Sequence, residues 1–327
     1  MGGVMDLLSE SRKRCLGDDG ERRITTIGTL AFDTIETPFG RRERLLGGSA
    51  NYFAMAASYF VPVSLVSVIG RDFPEAHLDE LRRRQVDVSG VIRYTDCDSF
   101  FWEGRYSYNL NERTTLCTAP DVLNRFQPTL GPEASRSPFV FLGNFEPNLQ
   151  EAVLEQCRRE NVRRVIAMDT MNYWIENKPR ELASVLAKVD ALLVNEAEAR
   201  QLSGEYDLAK AAYKIFGMGP SLLIVKQGEY GALMFSKSGM IFSAPALPLL
   251  QVQDPTGAGD TFAGGFMGYL ASCGTGLEDD SVVRNAVIFG SVFSSFVVED
   301  FGMMRLFHLR FGDILKRYEF FKALVRF

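Results

Sequence analysis

Short apolar segments alternate with helical patterns through most of this 327-residue chain, and this alternation restricts its fold more than any other feature. The apolar segments are predicted strands at 24–30, 63–69, 139–142, 165–168 and 191–194. The segments with helical patterns lie at 50–60, 74–85, 149–160 and 180–188. Because these strands are apolar at consecutive positions, both of their faces should be buried. The pattern is typical of βαβ units and predicts a mostly parallel central sheet flanked by helices.

The last third of the chain continues with shorter strands and longer helices. Three short strands are predicted at 222–226, 232–235 and 240–242, with glycines at the turns. Helices are predicted at 258–272, 281–298 and 313–326.

One aromatic segment interrupts the alternation. Residues 99–118 (SFFWEGRYSYNLNERTTLCT) favour strands and lack helical periodicity, which predicts a small antiparallel insertion between two βα units. We call the insertion around residues 93–118 the lid segment, because a β insertion of this kind can cover a site. The alternative is an ordinary surface hairpin.

Charge and composition exclude several classes of protein. There are 36 Lys and Arg against 41 Asp and Glu. The net charge of −5 disfavours binding to nucleic acid or to a membrane that depends mainly on electrostatic attraction. The two histidines are too few for a multi-His metal site or a His-based triad. Five dispersed cysteines without a CxxC pair favour a reducing cytoplasm. Residues 1–23 are a charged leader without a signal-peptide core, and we expect them to be flexible.

The segment DPTGAGDTFAGGFM, residues 254–267, carries the clearest chemistry. Gly257, Ala258 and Gly259 allow main-chain N–H groups to converge at the start of an apolar helix, whose positive end favours an anion. Asp260 then stands in the first helical turn, where a carboxylate can remove a proton from a hydroxyl while a phosphoryl group is held beside it. The alternative is a tight turn followed by a helix with an acidic cap.

This segment resembles the C-terminal signature of the ribokinase-like (PfkB) carbohydrate kinase family. Further segments resemble the same family in the same order, namely GTLAFD at 28–33, GGSA at 47–50, VNEAE at 194–198 and VKQGEYG at 225–231. The resemblance implies a ribokinase-like α/β fold over residues 24–327 with the lid segment inserted. A Walker A motif is absent from the sequence, as expected if a helix start binds the phosphates.

The resemblance also implies roles on the nucleotide side. Asp260 resembles the family's catalytic base, and Gly257, Ala258 and Gly259 its anion hole. Asn195 and Glu198 resemble the NxxE motif that organises ATP phosphates and Mg²⁺, with Glu198 acting through water. The remaining nucleotide-side positions are Lys226, Gly228 and Thr256, and Asp254 with Thr256 lies where many members hold a monovalent cation such as K⁺. Taken alone, Lys226 can also be read as a solvated strand end.

On the acceptor side, Asp33 resembles the aspartate that binds sugar hydroxyls, and we expect it to be ionised at neutral pH. Gly47 and Gly48 resemble the family's glycine pair, which lets main chain approach the sugar. The sequence departs from the family here, since Asn51 stands one place early and Tyr52 occupies the usual Asn position. Asp169, with Asn172 and Trp174, follows a strand at the same sheet edge and is a further candidate for the acceptor pocket, or else a capping and core group.

The predicted function is ATP-dependent phosphorylation of a hydroxyl on a sugar or sugar-like molecule. A nucleoside kinase of the same fold is the first alternative, because an aromatic side chain can stack on a base. The aromatic candidates are Tyr52, Phe100, Phe101, Trp102, Tyr106 and Tyr108. A non-catalytic binding protein is the alternative from another class, although it has no need of Asp260 beside an anion hole. The exposed aromatic lid segment also predicts a homodimer.

Overall fold

A computed structural model describes residues 22–325, so most of the charged leader lies outside the described residues. The strands are β1 (Ile24–Ile27), β2 (Ala31–Thr37), β3 (Gly40–Gly47), β4 (Val63–Ile69), β5 (Val86–Arg93), β6 (Phe100–Tyr106), β7 (Arg113–Ala119), β8 (Phe139–Leu142), β9 (Val165–Met168), β10 (Ala191–Asn195), β11 (Leu222–Lys226), β12 (Ala232–Ser236) and β13 (Ile241–Ala244).

The helices fill the connections between these strands. They are α1 (Ser49–Ala57), α2 (Glu75–Arg83), α3 (Asp121–Asn124), α4 (Pro132–Ser135), α5 (Pro147–Arg158), α6 (Asn172–Asn177), α7 (Pro179–Leu186), α8 (Glu196–Ser203), α9 (Leu208–Phe216), α10 (Ala258–Cys273), α11 (Asp280–Val297), α12 (Met304–His308) and α13 (Phe311–Leu324). None of the helices between residues 22 and 325 is long and apolar enough to cross a membrane.

The main sheet has nine strands in the order β13-β12-β11-β10-β9-β8-β1-β4-β5. All neighbours from β11 to β5 pair in parallel, and only β12 and β13 run antiparallel at one edge. This confirms the predicted mostly parallel sheet. The carboxyl ends of its parallel strands meet at one edge, where α/β proteins place their ligands.

Two hydrophobic clusters cover the two faces of the main sheet. One contains α1, α10 and α11, in which Phe53 stacks on Phe141 of β8 with ring centroids 4.4 Å apart. The other contains buried side chains of α5, α7 and α9. Because β1, β4 and β8 are buried at every position, their continuous apolar runs agree with the sequence prediction.

A second sheet, which we call the lid sheet, has the strand order β3-β2-β6-β7. The pairs β2–β3 and β6–β7 are antiparallel, whereas β2 and β6 are parallel. Two of its strands therefore come from residues 31–47, outside the predicted lid segment. They were not predicted because β3 (GRRERLLG) is charged and largely exposed, so it lacks a strand-like apolar pattern.

Candidate active site

Helix α10 begins at the carboxyl edge of the main sheet, at a left-handed glycine. Gly257 has φ 73° and ψ 0°, and a Cβ at this position would lie 2.5 Å from the Tyr52 ring. Asp254 holds the preceding loop, because its carboxylate accepts the N–H groups of Thr256 and Gly302, each at 2.8 Å. The first amides of a helix lack intrahelical acceptors and are available to an anion.

The three predicted anion-hole residues are not equivalent. The Ala258 N–H donates to the Pro255 carbonyl at 3.2 Å, so this amide is engaged within the turn. Gly257 and Gly259 are the better candidates for phosphate oxygens. A Cβ at Gly259 would lie 2.7 Å from Lys226 Nζ, which places the ammonium directly against the helix start. Lys226 therefore lies against the start of α10, which supports its candidacy as a site residue over a solvated strand end.

Asn195 and Glu198 form a reciprocal cap at the start of α8. The Glu198 N–H donates to Asn195 Oδ1 and the Asn195 N–H donates to Glu198 Oε2, both at 2.8 Å. Glu198 is buried, and burial raises its pKa, while Lys226 and the hydrogen bond from Asn195 act in the opposite direction. The cap therefore holds the Glu198 carboxylate where its charge interacts with the Lys226 ammonium.

Asp260 and Asp169 meet at this edge, one from α10 and one from the end of β9. The two carboxyl groups lie close enough for each to affect the pKa of the other. Burial raises the pKa of both carboxyl groups, and Lys226 lowers both. Within residues 22–325 no cluster of three or more potential ligands could hold a metal ion unaided. A Mg²⁺ ion would therefore rely on water and phosphate oxygens for most of its ligands.

On the lid side, Asp33 is buried in β2 against the glycine pair. Its carboxylate accepts the Gly48 N–H, and any Cβ at Gly47 would overlap the Asp33 carboxylate. Gly48 has φ 97° and approaches the Thr29 carbonyl so closely that a side chain would clash. Burial, followed by the charges of Asp254 and Asp260, raises the pKa of Asp33 to about 8. The expectation that Asp33 is ionised at neutral pH is therefore wrong for this buried carboxyl.

Asn51 does not reach the acceptor space predicted for it. Its amide nitrogen donates to the Gly47 carbonyl at 3.1 Å, and its oxygen lies 2.8 Å from His77 Nε2. The residue is completely buried, so it supports the glycine pair instead of facing a ligand.

Tyr52 is also buried, with 1% of its surface exposed. Its ring lies against Gly257, where it supports the anion-binding turn. A role for Tyr52 in stacking on a base is thus wrong.

The lid sheet turns one face toward this site. Trp102 is the register partner of Asp33 in the parallel β2–β6 pair, so both side chains lie on the same face. Tyr106 follows Trp102 in β6 at an even spacing and therefore lies on the same face. Its hydroxyl accepts a hydrogen bond from Thr256 Oγ1 at 3.1 Å. At the tip of the lid sheet, Asn111 contacts Gly228, where a Cβ would clash with its side chain. The lid sheet therefore touches both the catalytic loop and the predicted nucleotide turn.

Comparison with known proteins now decides the family. The sequence profile of the pfkB family carbohydrate kinases matches residues 24–307. This chain belongs to the pfkB family of carbohydrate kinases. Its membership confirms the predicted ATP-dependent phosphorylation of a hydroxyl on a sugar or sugar-like molecule.

Individual relatives agree with this family over most of their length. A cytidine kinase of Thermococcus kodakarensis is 31% identical over 262 residues, covering 78% of this chain and 91% of that protein. A nucleoside kinase of Methanothermobacter thermautotrophicus is 25% identical over 311 residues, covering 86% and 91%. An Arabidopsis thaliana ribokinase solved with ribose and ATP has 18% identity and a TM-score of 0.71, covering 91% and 99%. The last of these confirms the fold.

The structure of this pfkB kinase adds a candidate site residue that the sequence patterns did not single out. Arg113, the register partner of Tyr106, is exposed on β7, and its guanidinium lies 5.7 Å from the centroid of the Trp102 ring. Its charge acts on Asp260 and Glu198. Only the register of the β6–β7 pair reveals this role, because an arginine in a polar hairpin is otherwise unremarkable.

Asn172 and Trp174, which the sequence suggested for the acceptor pocket, form hydrogen bonds with neighbouring side chains instead. The Asn172 amide donates to Gln201, and Trp174 Nε1 donates to Asn144 Oδ1 at 3.0 Å. Of the three residues predicted after β9, Asp169 is the one whose pKa is affected by Asp260.

Proposed function

We propose that this pfkB kinase transfers the γ-phosphoryl group of ATP to a hydroxyl of a nucleoside. The observation that carries the proposal is the pairing of Asp33 with Trp102 on one face of the lid sheet, opposite Asp260. A nucleoside needs both a hydrogen-bonding partner for its ribose hydroxyls and a flat surface for its base. The names of the two relatives that are aligned over 91% of their length support the same choice.

The nucleotide side would hold ATP through main chain and a single ammonium group. The main-chain N–H groups of Gly257 and Gly259 would donate hydrogen bonds to phosphate oxygens, and Lys226 would neutralise the phosphate charge from the adjacent strand end. Glu198 would hold Mg²⁺ through water, with Asn195 fixing its carboxylate. The ion supplies charge neutralisation between neighbouring phosphate groups.

Proton transfer falls to Asp260. As the acceptor oxygen bonds to phosphorus and the bond to the ADP oxygen breaks, Asp260 receives the acceptor's hydroxyl proton. Arg113 would balance the negative charge spread over the transferred group. Because Arg113 is carried by β7, this contribution requires the lid sheet to be in place over the site.

Trp102 is the aromatic side chain best placed for a nucleobase. It is half-buried, it lies beside Asp33, and its Nε1 donates to Thr115 Oγ1 at 3.2 Å, which holds the ring plane. Phe101, the next residue on the strand, instead packs against the main hydrophobic cluster. The Arg113 guanidinium lies 5.7 Å from the centroid of the Trp102 ring, so a base that stacks on Trp102 would also lie close to Arg113.

A panel of nucleosides and free sugars, each with ATP and Mg²⁺, tests this proposal. ADP release and the mass of the product are measured for cytidine, uridine, adenosine and inosine, and for ribose and fructose. We expect kcat/KM for at least one nucleoside to exceed that of the sugars by roughly tenfold or more, which is the size of one stacking contact. Phosphorylation of a free sugar alone would identify a sugar kinase, and no phosphorylated product would favour the non-catalytic alternative.

Trp102→Ala sharpens the same experiment. Loss of the indole should raise the nucleoside KM about tenfold without a similar change in the KM for ATP. Tyr108→Ala is the matched control, since Tyr108 is 90% exposed at the tip of the lid sheet. Equal KM values for wild type and Trp102→Ala would remove the base-stacking argument.

The predicted K⁺ site stays a proposal at Asp254 and Thr256. Asp254 is buried with both oxygens bonded to main chain, so a cation there would act by stabilising the catalytic loop. Turnover in KCl should exceed turnover in N-methylglucamine chloride at equal ionic strength.

The homodimer also stays a proposal. β7 is the outer strand of the lid sheet, and all of its residues are exposed, including Leu116. Unpaired strand edges favour pairing with a second copy. Light scattering at micromolar concentration distinguishes a dimer from a monomer.

A further inference from the structure

We propose that His77 is a positioning residue for the acceptor, because its hydrogen bond to Asn51 fixes the glycine pair against which Asp33 lies. The proposal deepens the proposed function, since it rests on the acceptor binding at Asp33 and the glycine pair. The site residues predicted from the sequence do not include His77.

His77 lies on α2 in an apolar environment. The residue is 4% exposed, and its ring packs edge-on against Phe73 and Phe307, with ring centroids 5.8 Å apart in both cases. An apolar side chain of similar size would pack there without the cost of burying polar ring nitrogens. A histidine at this position is therefore explained by its polar partner and not by packing alone.

That polar partner is Asn51 of α1. His77 Nε2 lies 2.8 Å from Asn51 Oδ1, and the Asn51 amide nitrogen donates to the Gly47 carbonyl at 3.1 Å. Because this amide nitrogen is turned toward Gly47, the amide oxygen faces His77, and Nε2 carries the proton of the hydrogen bond. The three residues form a continuous hydrogen-bonded chain from α2 to the glycine pair, and Asn51 is completely buried within it.

The His77 imidazole is neutral in this environment. Burial lowers the pKa of His77 to about 4, while the charge of Glu80 raises it and the charge of Arg84 lowers it further. A neutral imidazole has a single N–H group, and the contact with Asn51 places that group on Nε2. The hydrogen bond therefore persists throughout the neutral pH range.

The glycine pair depends on side chains outside the pair for its support. Gly48 is the N-cap residue of α1 with φ 97°, and no side chain caps this helix start. Thr29 and Ser49 supply one set of contacts, in which the Ser49 N–H donates to Thr29 Oγ1 at 3.0 Å and the Thr29 N–H donates to Ser49 Oγ at 3.1 Å. The Asn51 amide supplies the second contact, at the Gly47 carbonyl.

A displacement of Gly47 would be transmitted to Asp33. A Cβ at Gly47 would overlap the Asp33 carboxyl group, so the main chain of Gly47 and this carboxyl group are in direct contact. Small displacements of a binding group weaken the hydrogen bonds that it forms. Loss of the His77 hydrogen bond should therefore affect acceptor binding more than ATP binding.

Nitrogen NMR of the imidazole rings tests this hydrogen bond without any enzymatic activity. The chain has only two histidines, so selective ¹⁵N-histidine labelling of tag-free protein gives two sets of signals, which His308→Gln assigns. We expect a neutral His77 ring at pH 7 with its proton on Nε2, and loss or displacement of that proton signal in Asn51→Leu. A charged His77 ring, or a proton on Nδ1, would overturn the proposal.

Two substitutions of His77 separate the hydrogen bond from packing. Leucine keeps the apolar volume but lacks a donor, whereas glutamine retains an N–H group for Asn51. His77→Leu should raise the acceptor KM about three- to tenfold, the effect of one buried hydrogen bond, and leave kcat and the ATP KM within about twofold. His77→Gln should restore the acceptor KM. Leu81→Val is the matched control, because Leu81 is buried on the same face of α2 and donates no side-chain hydrogen bond.

The Asn51→Leu background shows whether His77 acts through Asn51. In this background His77→Leu should have no further effect on the acceptor KM, because the partner of the hydrogen bond is already missing. Hydrogen exchange of the peptide covering residues 47–53, measured by mass spectrometry, should be faster in His77→Leu and restored in His77→Gln. Additive effects of the two leucine substitutions, equal increases in both KM values, or the same increase in Leu81→Val would each overturn the proposal.

The two proposals fail in different ways. The kinetic measurements use the acceptor of the panel that is turned over fastest. If that acceptor is a free sugar, the proposed nucleoside is wrong, and the split between the two KM values still tests His77. If no acceptor is turned over, the proposed function fails, and the NMR and exchange data decide whether His77 holds the glycine pair. Thermal unfolding of each variant confirms that the comparison is made on folded protein.

Discussion

At the α10 end of the site, phosphate oxygens would meet main-chain amides and one lysine, whereas at the lid sheet the acceptor would meet the side chains of Asp33 and Trp102. The α10 end comes mainly from one continuous segment, Asp254 to Met267. The lid end is assembled from β2, the glycine pair before α1, and β6.

The difference follows from the chemistry of the two ligands. A phosphate group presents the same oxygens in every reaction of a kinase, and main-chain amides bind them whatever the neighbouring side chains are. A hydroxylated acceptor is recognised through donors, acceptors and flat surfaces that only side chains supply. Specificity should therefore be altered at the lid end, and turnover at the α10 end.

The strongest test of the difference between the two ends of the site is the substitution Asp260→Asn at the α10 end. Removal of the base should lower kcat by roughly 10²–10⁴ while ATP binding is retained. Turnover is measured with the best acceptor of the panel, and ATP affinity by titration calorimetry. Asp207→Asn serves as the control, because Asp207 is exposed and paired with Lys210. Near wild-type turnover of Asp260→Asn would show that another group takes the proton.

The next largest effect should follow Gly257→Val. The left-handed φ and the Tyr52 ring leave no room for a side chain, so the amides that face phosphate should shift. We expect turnover to fall about 10²–10³-fold, as for the loss of a preorganised donor, together with weaker ATP binding. Gly204→Val is the matched control, because Gly204 has φ 67° but no atom within 4 Å of a Cβ. If both variants behave alike, backbone strain alone explains the result.

At the lid end, Asp33→Ala should affect the acceptor far more than ATP. Because a carboxyl group with a pKa of about 8 is mostly protonated at neutral pH, each of its hydrogen bonds to the acceptor contributes ~0.5–1.5 kcal/mol, so the loss of two should raise the acceptor KM about tenfold or more. The KM for ATP should change by no more than a few-fold. Equal losses for both substrates would mean that the acceptor pocket has been placed wrongly.

The smallest effect concerns the pH dependence of stability at Asp33. Its pKa is raised from 3.8 to about 8, so the folded protein keeps a proton that the unfolded chain releases between these values. Stability therefore decreases as pH rises through this range. Asp33→Asn removes the titration, and its free energy of unfolding relative to wild type should increase by about 1.4 kcal/mol per pH unit near pH 6. A difference that is independent of pH would show that the Asp33 pKa is ordinary.

Much of the fold could be predicted from the pattern of apolar residues, because parallel strands that are buried on both faces appear in the sequence as continuous apolar runs. The predicted strand at residues 63–69 coincides with β4, and those at 139–142 and 165–168 coincide with β8 and β9. β3 was missed because it is charged and largely exposed. β2 is buried at nearly every position, but its polar and charged residues do not form a continuous apolar run.

The sequence by itself determined the family and the reaction, and it predicted the catalytic segment, since a helix start, its glycines and the aspartate in its first turn are neighbours along the chain. Only the tertiary structure decided which side chains actually meet at the site. It showed that Asn51 and Tyr52 are buried, that Arg113 on β7 lies near the Trp102 ring, and that Asp169 and Asp260 lie close enough to affect each other's pKa. The same holds for the protonation of Asp33, because a carboxyl group's pKa depends on the solvent and charges that the folded chain places around it.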